Sequence, residues 1–291
     1  PYWFTPMNSQ SKTTIPTPPP EVKRLHDLLE QQKVAYQRHP LATASERIER
    51  LARLKSVLVK YQDQFANAIS QDYGNRAVME TKIGEILTCL EHIKYYIKNL
   101  TEWMKPSKRH ISMLHQPAKG WVQYQPLGVI GIVAPWNYPY MTAVNTVAPL
   151  ICALAAGNHA MIKISSASAQ FGAVLENAIT EAFPQELVAV VNGGGIISDA
   201  FSHLAFDKMI FTGSTTVGKT VMAAASQNLV PVILELGGKS PALIHSEMNI
   251  RDAAERVAVG KLWNAGQTCV APDYLLLPKG KTAEFTQGYQ D

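Results

Sequence analysis

Two residues in the second half of the chain have the types and surroundings that covalent catalysis requires. Glu235 lies in an aliphatic run, 230–236, that predicts a buried strand. A carboxylate in such a strand is costly to desolvate unless it has a partner or a task. Cys269 lies in a short polar stretch beginning at Gly266, where a substrate can reach a thiol. The chemistry that this pair suggests is a cysteine nucleophile served by a carboxylate base.

The same two residues also have a structural interpretation. Glu235 would then form a salt bridge at the edge of the core, and Cys269 would be an inert buried thiol. Spacing alone favours this second interpretation, because structural ion pairs and buried thiols are common.

Other stretches could place polar groups beside this pair. Segment 207–218 is typical of a strand, a turn at Gly213 and Ser214, and a helix whose N–H groups hold a phosphate. It matches neither the G-x-G-x-x-G fingerprint nor a Walker loop, and a simple helix N-cap explains it equally well. Lys163 ends another aliphatic run and could meet a ribose or phosphate, or reach into solvent as a strand-end lysine. Asn137 could donate to an oxyanion or cap a turn.

The first part of the chain is predicted to be helical. The apolar spacing predicts helices over 21–37, 45–65 and 77–104, with Ser45 as the N-cap of the second. Residues 110–125 are predicted to form a polar hairpin.

From Pro126 onward, short aliphatic strands alternate with helices. Strands are predicted over 128–134, 160–164, 187–191, 208–212 and 230–236, and helices over 143–156, 167–183 and 217–227. This alternation indicates an α/β fold with a doubly wound parallel sheet, which binds ligands at the carboxyl ends of its strands.

Composition limits the class of protein. Hydrophobic residues make up 46% of the 291 residues and charged residues 17%, which is typical of a globular protein. No apolar run reaches the ~18 residues of a membrane helix, and the first residues lack a signal-peptide pattern. Three cysteines without a CxxC pair and eight histidines without metal spacing argue against disulfides or a zinc site. They favour a reducing, cytoplasmic location.

Basic charge is concentrated in the first part of the chain. Residues 1–119 contain 18 Lys and Arg against 11 Asp and Glu, whereas residues 120–291 contain 9 against 12. The charges alternate in sign along the predicted helices, which is typical of a solvated face. Nucleic-acid binding is therefore not expected.

Four ordered motifs together indicate one family. They are Pro-Trp-Asn-Tyr-Pro at 135–139, Phe-Thr-Gly-Ser at 211–214, Leu-Glu-Leu-Gly-Gly-Lys-Ser-Pro at 234–241 and Gly-Gln-Thr-Cys at 266–269. With these motifs the sequence resembles the aldehyde dehydrogenase superfamily from about residue 21 to its end. The stretch 269–274 and the long basic helices are similar to the coniferyl-aldehyde and fatty-aldehyde branch.

The resemblance implies an order of domains. A disordered Pro-rich arm over 1–20 would precede a Rossmann-like cofactor domain with long N-terminal helices over 21–235. An oligomerisation hairpin would lie at 110–125, and 236–291 would begin an α/β catalytic domain that carries the nucleophile.

The resemblance also implies a reaction on an aldehyde, either aromatic such as coniferyl aldehyde or medium-chain aliphatic. The Cys269 thiolate would attack the carbonyl, and the Asn137 side chain with the Cys269 N–H would hold the oxyanion. Hydride would pass to NAD or NADP, and Glu235 would activate the water that releases the acid. The residues implied to bind the cofactor are Trp136, Lys163, Ser166, Gly213, Ser214, Leu236 and Gly237.

Two departures from the family pattern matter. Ser166 replaces a glutamate that usually binds the ribose hydroxyls, so we expect NADP to be tolerated, and a preference for it is open. The chain also stops at Asp291, before the family's Glu-x-Phe-Gly-Pro motif and its oligomerisation strand. We therefore expect a partial catalytic domain with exposed apolar surface, and homodimerisation, usual in the family, is in doubt.

Alternatives to an active aldehyde dehydrogenase follow from the second departure. One is an inactive fragment that at most binds a dinucleotide. A weaker one is a CoA-acylating relative, against which Glu235 argues because it would serve as a hydrolytic base.

Overall fold

The computed structural model of the protein describes residues 19–144 and 150–291. Its first part consists of helices α1 (Pro20–Arg38), α2 (Ala44–Lys60), α3 (Gln62–Asp72), α4 (Val78–Thr81) and α5 (Thr88–Trp103), with a π-helical segment, Lys82–Leu87, between the last two. The three predicted helical regions are confirmed, but the second breaks at Tyr61, where ψ is 3°. Most of the predicted arm, 1–18, lies outside the described residues, and Pro20 already belongs to α1.

Helix α2 is capped by Thr43, so the prediction of Ser45 as its N-cap was wrong. The Thr43 hydroxyl accepts a hydrogen bond from the Glu46 N–H at 3.3 Å, and the Glu46 carboxylate accepts one from the Thr43 N–H at 2.6 Å. This reciprocal capping box satisfies two N–H groups that would otherwise lack partners.

A short antiparallel pair follows the helices. It consists of β1 (Ser107–Arg109) and β2 (Gly120–Val122), so the hairpin predicted at 110–125 begins three residues earlier. The hairpin is also less polar than predicted, because Met113, Leu114 and Trp121 are exposed.

A five-stranded parallel sheet forms the centre of the molecule. Its strands are β3 (Val129–Val133), β4 (His159–Lys163), β5 (Val188–Val191), β6 (Lys208–Gly213) and β7 (Val232–Leu236). They are arranged in the order β5–β4–β3–β6–β7, which confirms the predicted doubly wound fold. Strand β7 was predicted to be buried, but it is an edge strand of this sheet and only half-buried.

Helices connect the strands on both faces of the sheet. They are α6 (Pro139–Val144), α7 (Leu150–Ala155), α8 (Ala169–Ala182), α9 (Gly195–Ser202) and α10 (Thr215–Ser226). The helix predicted over 143–156 is seen as α6 and α7, with 145–149 outside the described residues. Helix α9 was not predicted.

Two apolar layers hold these helices to the sheet. One buries side chains of α2, α3, α5 and α8 against one face, among them Leu51, Phe65, Ile93, Ile132 and Phe171. The other packs α1, α9 and α10 against the opposite face through Leu28, Phe201, Met209 and Val221. The sheet is thus covered on both faces, which parallel strands require.

The last part of the chain forms a second, smaller unit of secondary structure. Strands β8 (Ser240–Leu243) and β9 (Pro272–Leu276) pair in parallel, with helices α11 (Ile250–Leu262) and α12 (Thr282–Gln290) beside them. Among the residues that the structure describes, its buried cluster consists of Ile250, Ala253, Ala254 and Phe285. Large apolar side chains are exposed here, as expected from the sequence: Leu243, Val259, Leu262, Val270 and Leu276.

Across the two described ranges, every helix is too short or too polar to cross a lipid bilayer.

Candidate active site

The site begins where the direction of winding of the sheet changes. The chain passes from β3 to β4 and β5 on one side and then returns to place β6 on the other side of β3. In such sheets the loops after the two central strands diverge and leave a crevice. A cleft of about 630 Å³ opens at this point. Residues predicted from the sequence line it, namely Trp136, Asn137, Lys163, Ser166, Gly213, Ser214 and Gly237.

The turn from β6 into α10 forms one wall of this cleft. Ser214 caps α10, its hydroxyl accepting a hydrogen bond from the Val217 N–H at 3.3 Å. A Cβ added at Gly213 would lie 2.6 Å from Cζ of Phe211, and one added at Gly218 would lie 2.9 Å from Cδ2 of Leu236. A side chain at either position would force Phe211 or Leu236 to move, so glycine allows this turn to pack closely. The turn residues Gly213 and Ser214 line the cleft at the start of the helix, where free N–H groups can meet an anion.

Lys163 supplies a buried cation to the same cleft. It is only 2% exposed, and its Nζ donates to the carbonyls of Ile164 at 2.6 Å and Gly193 at 2.5 Å. The alternative of a strand-end lysine reaching into solvent is therefore wrong. Burial lowers the pKa of Lys163 to about 8 because the surroundings disfavour its charge.

Helix α9 contributes a wall that sequence reasoning missed. Its residues Ser198, Asp199 and Ser202 line the cleft. The helix begins at the third of three consecutive glycines, 193–195, and Ile197 and Phe201, four residues apart, pack against the core. Glycine before an i, i+4 apolar pair was the available signal for this helix, but eight residues are few for a periodicity argument.

A second cavity, of about 480 Å³, holds the residues predicted to do the chemistry. Glu235, Asn137 and Cys269 line it, together with Leu236. The two cavities share residues and are therefore adjoining; the shared residues are Pro135, Asn137, Thr212, Gly213 and Gly237. A ligand in the first cleft would thus reach towards the thiol in the second.

The alternative interpretation, in which Glu235 forms a structural salt bridge and Cys269 is an inert buried thiol, does not fit this site. Cys269 is exposed, whereas Cys89 is buried and Cys152 is half-buried. The half-buried Glu235 carboxylate forms no ion pair with any of the described residues. Both groups therefore remain accessible from the cavity that they line.

Asn137 is tied to the loop that carries Cys269. Its Nδ2 donates to the Gln267 carbonyl at 2.9 Å, which leaves the second N–H of the amide for a ligand. The buried Asn264 joins the same loops, because its Nδ2 donates to the carbonyls of Asn137 at 2.8 Å and Gln267 at 3.3 Å. Asn264 and Ala265 have φ near 50°, a left-handed conformation that side chains rarely adopt. Such strain at a loop beside a reactive group is typical of functional sites.

A buried ion pair supports the segment that carries Asn137. Glu85 is fully buried and receives Arg76 Nη1 at 2.6 Å, and its other oxygen accepts from the N–H groups of Tyr140 and Met141 at 3.0 Å. Burial raises the pKa of the Glu85 carboxyl, an effect that the Arg76 guanidinium opposes. The carboxylate thus holds the first turn of α6, two residues after Asn137.

Aromatic residues continue this network to the cysteine loop. The Arg76 guanidinium lies 5.1 Å from the ring centre of Tyr138 and 5.4 Å from that of Tyr73. The Tyr138 hydroxyl is 2.7 Å from Oγ1 of Thr268, the neighbour of Cys269. The Tyr73 hydroxyl donates to the Trp136 carbonyl. Neither Arg76 nor Glu85 was singled out by the sequence, because the segment they support, at 138–141, is more than 50 positions away along the chain.

Fold and site together define a doubly wound α/β protein that carries an accessible thiol and a carboxylate beside a cleft at the switch point of its sheet. The chain belongs to the aldehyde dehydrogenase family, whose sequence pattern it matches over residues 6–291.

Individual relatives agree with this assignment. The chain is 45% identical over 271 residues to a protein of Pseudomonas aeruginosa named probable coniferyl aldehyde dehydrogenase, covering 93% of this chain and 56% of that protein. It is 32% identical over 255 residues to the dog protein named aldehyde dehydrogenase, dimeric NADP-preferring, and the match covers 88% of this chain and 55% of that protein. The substrate-bound structure of Staphylococcus aureus AldH matches with a TM-score of 0.87 and 35% identity, and the match covers 91% of this chain and 57% of that one.

The predicted family and its coniferyl-aldehyde branch are thus confirmed. The chain spans little more than half the length of the curated relatives it matches.

Proposed function

We propose that the protein oxidises an aldehyde to the carboxylic acid with NAD or NADP, and that this chain supplies the cofactor cleft, the nucleophile and the base. The observation that carries the proposal is the cavity lined by Cys269, Glu235 and Asn137, which adjoins the cleft at the switch point of the sheet. Its relatives named coniferyl aldehyde dehydrogenase favour an aromatic aldehyde such as coniferyl aldehyde, with a medium-chain aliphatic aldehyde as the other candidate.

The residues of the first cleft fit a dinucleotide. The N-terminus of α10 with Ser214 and Gly213 would hold the pyrophosphate, and Lys163 would contact the adenosine ribose. Trp136, Leu236 and Gly237 would line the path towards the second cavity. When bound, the nicotinamide accepts hydride from the substrate, which is chemistry that protein side chains do not provide.

Cys269 would begin the reaction as a thiolate. Its sulfur adds to the carbonyl carbon, and the electron pair of the C=O bond moves onto oxygen. The free N–H of Asn137 and the backbone N–H of Cys269 would hold this oxyanion, and each such donor contributes about 3–4 kcal/mol elsewhere. After hydride loss the substrate remains attached to Cys269 as a thioester.

Glu235 would release the product. Its carboxylate takes a proton from water, the oxygen of that water adds to the thioester carbon, and the C–S bond breaks to return the thiolate. An accessible carboxylate that forms no ion pair with the described residues is free to accept this proton, which supports hydrolysis rather than transfer to CoA.

Ser166 would make the adenosine end tolerant of NADP. A Ser166→Glu variant is expected to lower the affinity for NADP relative to NAD, because its carboxylate would repel the 2′-phosphate. Dissociation constants for both cofactors measure the effect, and an unchanged ratio would contradict the assignment.

The organisation of the chain belongs to the same proposal. We place the cofactor domain at 21–235 and the beginning of the catalytic domain at 236–291. The hairpin at 110–125, with exposed Met113 and Leu114, would contribute to oligomerisation, and a relative named dimeric supports a homodimer. A reducing cytoplasm is the proposed location, since Cys269 acts only as a free thiol.

The proposal is tested by aldehyde-dependent formation of reduced nicotinamide, followed by absorbance. Coniferyl aldehyde and hexanal are each offered with NAD and with NADP to the wild type, Cys269→Ala and the matched control Cys152→Ala. Turnover that disappears only in Cys269→Ala supports the proposal, and turnover that survives in it overturns the nucleophile. Cofactor binding without turnover would identify the chain as the dinucleotide-binding portion alone, which is the second candidate function.

A further inference from the structure

The cleft wall that contains Ser166 also contains an acidic side chain, Asp199, which the family motifs do not include. Ser198, Asp199 and Ser202 are spaced i, i+1 and i+4 on α9 and line the same cleft as Ser166 and Lys163. This spacing places the three residues on one side of the helix. The side chain of Asp199 is 73% exposed, so its carboxylate is available to a ligand in the cleft.

Helix α9 approaches Ser166 closely. A Cβ added at Gly194, the residue before α9, would lie 3.2 Å from Cβ of Ser166. Asp199 is five residues further along, or about 7 Å at the helical rise. Ser166 and Asp199 also line the same cleft, so a ligand in that cleft is exposed to the field of the carboxylate, which salt screens over roughly 8–10 Å.

The charge of Asp199 is not neutralised inside the cleft. Among the described residues that line it, only Lys163 and Asp199 are formally charged, and Lys163 is already bonded to two carbonyls. The nearest basic group is His203, whose Nδ1 is 3.9 Å from Oδ2 of Asp199 and also donates to the Asp199 carbonyl at 3.0 Å. An anionic ligand group would therefore meet uncompensated negative charge on this wall.

We propose that Asp199 determines cofactor specificity by disfavouring a 2′-phosphate, in opposition to the tolerance that Ser166 introduces. The inference rests on the proposed function, because it assumes that the cleft binds a dinucleotide. The adenosine 2′-hydroxyl of NAD can donate to the carboxylate, whereas the phosphate of NADP carries close to two negative charges and is repelled. The replacement of glutamate by Ser166 consequently yields dual specificity rather than an NADP-specific site.

Isothermal titration calorimetry of the 291-residue chain with NAD and NADP tests the assignment. Asp199→Asn is expected to raise NADP affinity relative to NAD by about threefold to tenfold at 50 mM salt, with a smaller gain at 0.5 M salt. Asp252→Asn, an exposed aspartate on α11 outside the cleft, is the matched control and should leave the ratio unchanged.

Two further ligands locate the effect at the adenosine end. Adenosine 2′,5′-bisphosphate should gain from Asp199→Asn as NADP does, whereas AMP should not. An unchanged ratio, or an equal change in Asp252→Asn, overturns the role of Asp199 while dinucleotide binding itself is retained. Failure of every ligand to bind the wild type would overturn both this role and the proposed cofactor cleft.

Discussion

At the scale of single residues, Lys163 shows how burial can prepare a group for a ligand. Its ammonium lies at the carboxyl end of β4 with two carbonyl partners and almost no contact with solvent. Its lowered pKa means that the charged form of Lys163 is destabilised in the folded protein. A ligand anion or hydroxyl beside Nζ would offset this cost. A ribose beside Nζ would do so.

This burial predicts a pH dependence of stability that can be measured. The pKa of Lys163 falls from 10.5 in the unfolded chain to about 8 in the folded one. Between these values the unfolded state binds the extra proton, so stability rises with pH through the window. Between pH 8 and pH 10.5 we expect the free energy of unfolding of the wild type to rise by on the order of 3 kcal/mol relative to that of Lys163→Met. Urea unfolding of both proteins at several pH values measures the difference in the free energy of unfolding. A difference that does not change with pH would rule out the buried charge.

Exposure predicts which cysteine reacts first. Cys269 is exposed, whereas Cys89 is buried, and Cys152 is half-buried with its sulfur 3.1 Å from the Tyr96 hydroxyl. Burial raises the pKa of Cys152, so less of it is thiolate. Iodoacetamide should modify Cys269 at least about tenfold faster than the other two. Peptide mapping by mass spectrometry identifies the site, and faster labelling of Cys152 would contradict the geometry.

At the scale of elements, the loop after β3 is held from two sides. The ion pair of Arg76 with Glu85 fixes the start of α6, and Asn264 joins the loop to the segment before Cys269. The ion pair itself joins residues nine positions apart, but the contacts of Glu85 with α6 and of Asn264 with Asn137 connect residues more than 50 positions apart, so the spacing of residue types gave no indication of them. The strands and long helices could be predicted because their apolar periodicity is local.

The capping of α2 and the existence of α9 mark the limits of that local reasoning. The Thr43–Glu46 pair carries a readable capping signature, and only the choice among neighbouring polar residues was wrong. Helix α9 is short and its amphipathic face spans two turns, so tertiary packing rather than pattern defines it. The residue-by-residue family resemblance, in contrast, selected side chains that all line the two adjoining cavities.

Breaking the Arg76–Glu85 ion pair should lower the free energy of unfolding of the protein. Glu85→Gln leaves Arg76 buried without its counter-charge, which typically destabilises a protein by about 3–5 kcal/mol. Urea unfolding measures this, and Glu181→Gln, in an exposed pair with Lys60, is the control and should change little.

A local readout separates the support of the loop from general stability. Tyr138→Phe removes only the contact with Thr268, and it should alter the rate of Cys269 alkylation with little loss of stability. An unchanged alkylation rate in both Tyr138→Phe and Glu85→Gln would show that the network does not position the cysteine loop.

At the scale of the whole molecule, the two units of the chain have very different cores. The parallel sheet is covered on both faces by large clusters of buried side chains. The unit built from β8, β9, α11 and α12 has four buried residues in its cluster and exposes Val259, Leu262 and Val270. Apolar burial supplies most of the stability of a domain, so the second unit is the weaker one.

Hydrogen exchange should reveal this inequality. Amides of β8, β9 and α11 are expected to exchange markedly faster than those of β3 and β4, since local opening exposes little apolar surface there. Mass spectrometry of peptic peptides resolves the two regions. Equal protection of both would mean that the small cluster is supported by contacts beyond those described.

Gly237 lines both cavities, and a Cβ placed on it would have no atom within 4 Å. Its φ lies outside the left-handed region, so the backbone itself does not require glycine. A side chain at this position would fit without strain and would occupy the region where the two cavities adjoin, through which the proposed reaction would bring cofactor and thiol together. A mutational library scored for protein abundance would therefore accept alanine or valine at position 237, whereas the same library scored for aldehyde turnover would retain only glycine.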